Sequence, residues 1–100
     1  MSKLYSYLGL CQKAGKLKSG TFQVEESVKD GSAVLVLFSN EASDNAKKQI
    51  TNMCKYYCVR CEQIGTVDEI SRAIGKECRK VCAITDENMA ALVAGQLESL

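Results

Sequence analysis

The sequence predicts an α/β domain with helices packed on both faces of one sheet. Three observations lead there. Segments of helical and of strand periodicity alternate along the whole chain. The connectors between them are a few residues long, as in compact α/β domains. The apolar run from Ala33 to Phe38, rich in Val and Leu, reads as a strand covered on both sides rather than a half-exposed one.

Taken in order, Leu4, Tyr7, Leu8, Cys11 and Ala14 recur at helical spacing, with Ser2 as cap and Gly15 as stop. Leu17 to Ser19 allows only a short strand. Gly20 and Thr21 then open a second helix, with Thr21 as its cap, Glu25 and Glu26 near its positive end, and Asp30-Gly31 closing it. After the central strand at Ala33 to Phe38, Ser43 and Asp44 start a helix whose inward stripe is Ala46, Ile50, Met53, Cys54 and Tyr57. Val59 to Ile64 reads as a second core strand. Thr66-Val67-Asp68-Glu69 is a capping box, in which the hydroxyl and the carboxylate each satisfy a free backbone donor, and it opens a short helix ending at Gly75. Lys76 to Lys80 is a basic connector, and Val81 to Ile84 is a further strand. Thr85 caps a last helix with Met89, Leu92, Val93 and Leu97 inward.

The 100 residues suit one domain, and 46% hydrophobic with 25% charged residues is the usage of an ordinary globular protein. No apolar run is longer than Ala33 to Phe38, which is far short of the about 20 residues a bilayer crossing needs. Met1 to Tyr7 holds one lysine and no apolar core of signal-peptide length, so a cytoplasmic location is expected. A net charge of +1 argues against coating nucleic acid by bulk charge while leaving room for a local basic face. The chain contains no histidine, which excludes histidine-based acid/base catalysis and histidine metal ligation.

The 6 cysteines invite a metal reading, since Cys54, Cys58 and Cys61 are spaced as thiolate ligands can be and Cys78 with Cys82 could complete a set. Packing explains them better. Cys54 falls on the inward stripe of its helix, Cys61 alternates with Val59, and Cys82 lies inside an apolar strand, all positions for small hydrophobes. Strong periodicity also sets the chain apart from loop-rich disulfide scaffolds, so reduced thiols are expected. No Walker loop, dinucleotide fingerprint or nucleophile elbow occurs. The carboxylate pairs Glu25-Glu26 and Asp86-Glu87 sit in first turns of helices, where the macrodipole accounts for them. Neither an active site, a cofactor nor a metal is therefore expected. What remains is a surface: Lys13, Lys16 and Lys18 lead into Gly20-Thr21-Phe22-Gln23, a helix start whose free amides suit a phosphate or a base edge.

The order of these motifs resembles the large-subunit ribosomal protein seven-Ae and thirty-e family, in its small bacterial YlxQ-like branch. The resemblance is carried by Leu8-Gly9-Leu10, Lys13-Ala14-Gly15-Lys16-Leu17, Ser19-Gly20-Thr21, Val34-Leu35-Val36-Leu37, Ser43 to Lys48, Cys54-Lys55-Tyr56-Tyr57 and Arg72-Ala73-Ile74-Gly75-Lys76. It covers the chain from Leu4 to about Val93. It implies a three-layer α/β/α sandwich with a mixed four-stranded sheet whose last strand is antiparallel. It also implies RNA binding, typically at a kink-turn.

Carried over, the family's base-reading segment falls on Gly20, Thr21, Phe22 and Gln23, preceded by Lys18, and its second contact falls on the connector of Lys76, Glu77, Cys78, Arg79 and Lys80. The expected RNA-binding residues are Lys16, Lys18, Gly20, Thr21, Phe22, Gln23, Ser43, Lys47, Lys76, Arg79 and Lys80. Phe22 stands where the family's kink-turn binders have a polar donor, and Glu26 where they have Lys. Phe22 could stack on a splayed base, while Gln23 bonds a base edge. The expected partner is a structured RNA, ribosomal or kink-turn-like, with ribosomal proteins as further partners and no membrane or small-molecule substrate. The alternative is a protein-interaction module that keeps the fold without RNA binding, which Glu26 and the near-neutral charge favour.

Overall fold

The fold follows from where its last strand goes. In the computed structural model, which describes residues 3–98, the elements run α1 (Lys3–Lys13), β1 (Leu17–Ser19), α2 (Thr21–Lys29), β2 (Leu35–Ser39), α3 (Asp44–Tyr56), β3 (Arg60–Ile64), α4 (Val67–Ile74), β4 (Val81–Ile84) and α5 (Glu87–Glu98). The sheet order is β1-β4-β2-β3, so the last strand enters the middle. β2 and β3 are parallel, with Leu35 opposite Arg60, whereas β4 is antiparallel to both neighbours, with Cys82 opposite Ser19 and Leu37. The expected mixed four-stranded sheet with a reversed last strand is the one observed.

Alternation along the strands divides the core in two. Leu35, Leu37, Cys82 and Ile84 face one way, meeting Leu4, Leu8 and Cys11 of α1, Ile70 and Ile74 of α4, and Ala90 and Val93 of α5. Val36, Phe38, Val81 and Ala83 face the other way, against Val24 and Val28 of α2 and Ile50 and Cys54 of α3. These are the three layers of the sandwich. Every residue of β2 and β4 is buried, which is why both read as continuous apolar runs.

Several local expectations change. Val59 to Ile64, expected in the core, begins at Arg60 and forms an edge strand with a single partner, its outer residues half-exposed and its Arg60 paired with Glu62 at 3.1 Å. Tyr57 does not join the inward stripe of α3, because the helix ends at Tyr56 and Tyr57 caps it, 41% exposed. Leu92 is 52% exposed, since the stripe of α5 is set by Ala90 and Val93. Asp86 rather than Thr85 caps that helix, its carboxylate accepting from the Met89 amide, because the Thr85 amide still donates to the Lys16 carbonyl beside the sheet. Thr21 is the first helical residue of α2 and Gly20 its cap, so Glu25 and Glu26, expected in the first turn, fall in the second, and no acidic residue stands in the first. Ser2 lies outside the described residues. The Thr66 capping box, with Gly75 left-handed at the far end of α4, and the Ser43 cap of α3 are observed as expected.

The thiols divide by face. Cys11 and Cys82 belong to the α1/α4/α5 core, Cys54 to the α2/α3 core with half-buried Cys61 against it, and Cys58 and Cys78 are exposed. Cys82 therefore cannot join Cys54 and Cys61 around one ion, because the sheet stands between them. A hydrogen bond with Cys61 pulls the Cys54 thiol below its ordinary value against the effect of burial. The same bond, with burial, pushes Cys61 up. Burial, with the nearby Cys11, pushes Cys82 up to about 12.

Two consequences can be measured. Folding keeps the proton on Cys82 up to about 12, while the unfolded chain releases it near 9.0, so the folded state binds more protons in between and stability falls as pH rises through that window. The expected slope from this thiol is about 1.4 kcal/mol per pH unit, and Cys82→Ala flattens it in denaturant titrations run across alkaline pH. The second concerns α1 against α4. A Cβ on Gly9 would sit 2.9 Å from the Ala73 carbonyl oxygen, a backbone atom that cannot swing aside. Gly9→Ala gains about 1 kcal/mol of helix propensity but meets an overpacking cost of about 1–3 kcal/mol. A lower urea midpoint is expected despite the better helix former.

Candidate nucleic-acid interface

Because β4 runs against its neighbours, its first residue lies beside the last residues of the other strands. Ser19 pairs near Cys82, Phe38 is opposite Val81, and Ser39 is opposite Ile64. Four connectors consequently meet at one end of the sheet: β1–α2, β2–α3, β3–α4 and α4–β4. Hydrogen bonds lock them together. The Gly20 amide donates to the Val81 carbonyl at 3.0 Å and the Ser39 amide to the Lys80 carbonyl at 2.8 Å.

Two buried serines complete the frame. Ser39, fully buried, donates its hydroxyl to the Gly65 carbonyl at 3.0 Å and accepts from the Glu41 amide at 2.9 Å. Ser71, on α4, accepts from the Arg79 amide at 2.9 Å. The Glu41 carboxylate reaches across to the Val67 amide at 2.8 Å. Neither serine was marked by periodicity or motif, since each matters through a partner distant in the chain. The left-handed conformations of Gly75 and Cys78, at φ 68° and 49°, bend the connector between α4 and β4.

The start of α2 is left open by this frame. Gly20 has φ 92° and ψ 149°, a conformation nearly restricted to glycine, and offers no side-chain cap. The amides of Thr21, Phe22 and Gln23 thus have neither an intrahelical acceptor nor a capping side chain. All three residues are exposed, Phe22 at 71%. Arg79 lies against this opening, its Nη1 placed 3.9 Å from where a Gly20 Cβ would be. Its Nε is buried and has no hydrogen-bond partner among the described residues. A shallow crevice between Thr21 and Glu25 of α2 and Ala46 and Gln49 of α3, floored by Val81, continues the opening toward α3.

The expected binding residues do not all converge. Gly20, Thr21, Phe22, Gln23, Arg79 and Lys80 share this end, and Ser43 and Lys47 stand at the start of α3 beside it, with the Ser43 hydroxyl occupied by the Ala46 amide. Lys76 lines a hollow of mixed charge with Glu41, Glu77 and the Asp68–Arg72 ion pair. Lys18 lies along the outer flank of α2 with Phe22, Gln23, Glu26 and Asp30. Lys16 is at the opposite end of β1, where its carbonyl accepts from the Thr85 amide.

With the geometry in place, relatedness can be read. Residues 2–94 match the ribosomal protein L7Ae/L30e/S12e/Gadd45 family. The chain belongs to this family. Among individual relatives it is 37% identical, over 86 residues covering 86% of each chain, to a protein of Bacillus subtilis (strain 168) named RNA-binding protein YlxQ. A protein of the same name from Enterococcus faecium is 35% identical over 88 residues, covering 88% of this chain and 84% of its own. Of solved structures, a protein of unknown function from Bacillus halodurans superposes with a TM-score of 0.94 at 31% identity, covering 98% of this chain and 99% of its own. A 15.5 kD RNA-binding protein of Giardia lamblia has the same fold, with a TM-score of 0.81 at 20% identity, covering 97% of this chain and 83% of its own.

The open edge rests on the backbone of Gly20. Gly20→Ala has room for the methyl group but forces a side chain into a glycine-only conformation, so a loss of about 1–3 kcal/mol is expected in thermal or denaturant unfolding.

Proposed function

We propose that the chain is a non-catalytic, cytoplasmic RNA-binding protein that grips a structured RNA through the connectors at the α2 end of the sheet. One observation carries this reading: the open N-terminus of α2 at Gly20 faces the Arg79 guanidinium, whose buried Nε has no partner among the described residues. Amide donors at a helix start and a forked cation suit a phosphate or the O6/N7 edge of guanine. The two bacterial relatives named RNA-binding proteins support the class of ligand.

Roles follow from position. Lys47, Lys80 and Arg79 supply charge toward phosphates, with Lys18 and Lys76 contributing from the flanks. Gln23 offers an amide to a base edge, and exposed Phe22 offers a ring to a base turned out of its stack. A kink-turn, with its sharply bent backbone and exposed sheared pairs, is the RNA shape this edge is proposed to fit. Glu26 and Asp30 beside Lys18 favour a second reading, a protein partner on the ribosome in place of RNA.

Titration against a kink-turn stem and fragments of ribosomal RNA at low salt separates the two. Arg79→Ala should weaken binding by roughly 1–3 kcal/mol, and Lys80→Ala should lower the salt slope by about one. Glu26→Lys should tighten binding where the flank meets phosphate and leave it unchanged where the partner is a protein. Absence of binding to every RNA tried at low salt would sink the RNA reading.

A further inference from the structure

The outer face of α3 has a character of its own. Lys48, Thr51, Asn52, Lys55 and Tyr56 are exposed there, at spacings that keep them on one side of the helix. After Asp44 in its first turn the helix carries no acidic residue. At its far end Tyr56 is 79% exposed, more than any other large apolar side chain among the described residues. The ring of Tyr57 meets it edge-on, with centroids 4.9 Å apart and planes at 77°. This geometry steadies the Tyr56 ring while using little of its surface.

Each lysine taken singly is explained by solubility, and Lys55 also by the negative end of the helix. The tyrosine pair is not, because a ring held mostly in water lowers no folding free energy by burial. Its neighbours narrow the choice of partner. A groove for another protein would ring the tyrosines with exposed aliphatic side chains, whereas the exposed residues next to Tyr56 on this face are Lys55 and Asn52, and the apolar Met53 and Val59 are turned to the core. Cations interleaved with an open aromatic face match a polymer of phosphates and flat bases. The face also begins beside Ser43 and Lys47, the corner of the edge described above, and extends about 20 Å from it along the helix axis.

We propose that the outer face of α3 is a second RNA contact, which holds an unpaired strand with Lys48 and Lys55 on its phosphates and the Tyr56 ring under one base. It rests on the RNA-binding reading for the class of partner only, since it shares no residue with the Gly20–Arg79 opening.

The test uses two probes, an unstructured oligouridine and a kink-turn stem without single-stranded tails, titrated into the full chain. Oligouridine should quench the tyrosine emission of this tryptophan-free protein. Tyr56→Ala should weaken its binding about fivefold to a hundredfold and abolish the quench, with the stem bound as before. Tyr56→Phe should keep the affinity because it keeps the ring, and Lys55→Glu should weaken oligouridine without touching the stem. Arg79→Ala should do the reverse. If the stem binds and oligouridine does not, or if Tyr56→Ala leaves oligouridine unchanged, this inference is overturned while the edge reading stands. If oligouridine binds as described while the stem and the ribosomal RNA fragments do not, the edge reading fails and this one stands. Loss of a protein partner by Tyr56→Ala, with both RNA affinities unchanged, would overturn it in favour of protein docking.

Discussion

The reversed entry of β4 between β1 and β2 is the constraint from which most of this molecule follows. A strand inserted there has no edge, so all four of its residues are buried, and the layers on both faces are fastened to it. Its direction matters as much as its place. Were it parallel to its neighbours, the connector from Lys76 to Lys80 would leave from the other end of the sheet. Run antiparallel, it delivers Arg79 and Lys80 beside Gly20 and Ser39 through two backbone hydrogen bonds. The candidate interface is therefore a product of topology before it is a product of side chains.

What holds that interface in shape is buried and polar. Ser39 and Ser71 each satisfy a connector's backbone, and such bonds are costly to lose because the remaining partner stays desolvated. Around them the surface is mixed rather than uniformly basic, with Glu41 and Glu77 near Lys76 and with Glu26 near Lys18. A local set of directed donors, more than a broad positive field, is what the chain presents. That agrees with a net charge of only +1.

The cysteines illustrate how a motif-like spacing dissolves into packing. Cys54 and Cys61 touch across the α3–β3 interface, Cys82 lies on the opposite face with Cys11, and Cys58 stays in the turn at φ 59°. Sulfur serves here as a small, polarisable filler between helix and sheet. Among the described residues no three Cys, Asp or Glu side chains gather as metal ligands would.

By itself, the sequence determined most of the elements and the burial of β2 and β4 on both faces, because those depend on periodicity, capping chemistry and composition within a short window. The Thr66 box, the Ser43 cap and the apolar runs of β2 and β4 are of this kind. The motif order, through family resemblance, also carried the reversed last strand and the pairing of the Gly20 segment with the Lys76 connector. Strand β3 reads as core and is an edge, because position within a sheet depends on strand order and not on local pattern. Lys16 and Lys18 read as one basic run with the Gly20 segment, yet the first lies at the other end of β1, while the second shares the outer flank of α2 with Phe22 and Gln23. Only the tertiary structure decided those placements, along with the buried serines and the open guanidinium of Arg79. Each depends on a contact between residues far apart in the chain, and no local periodicity records such a contact.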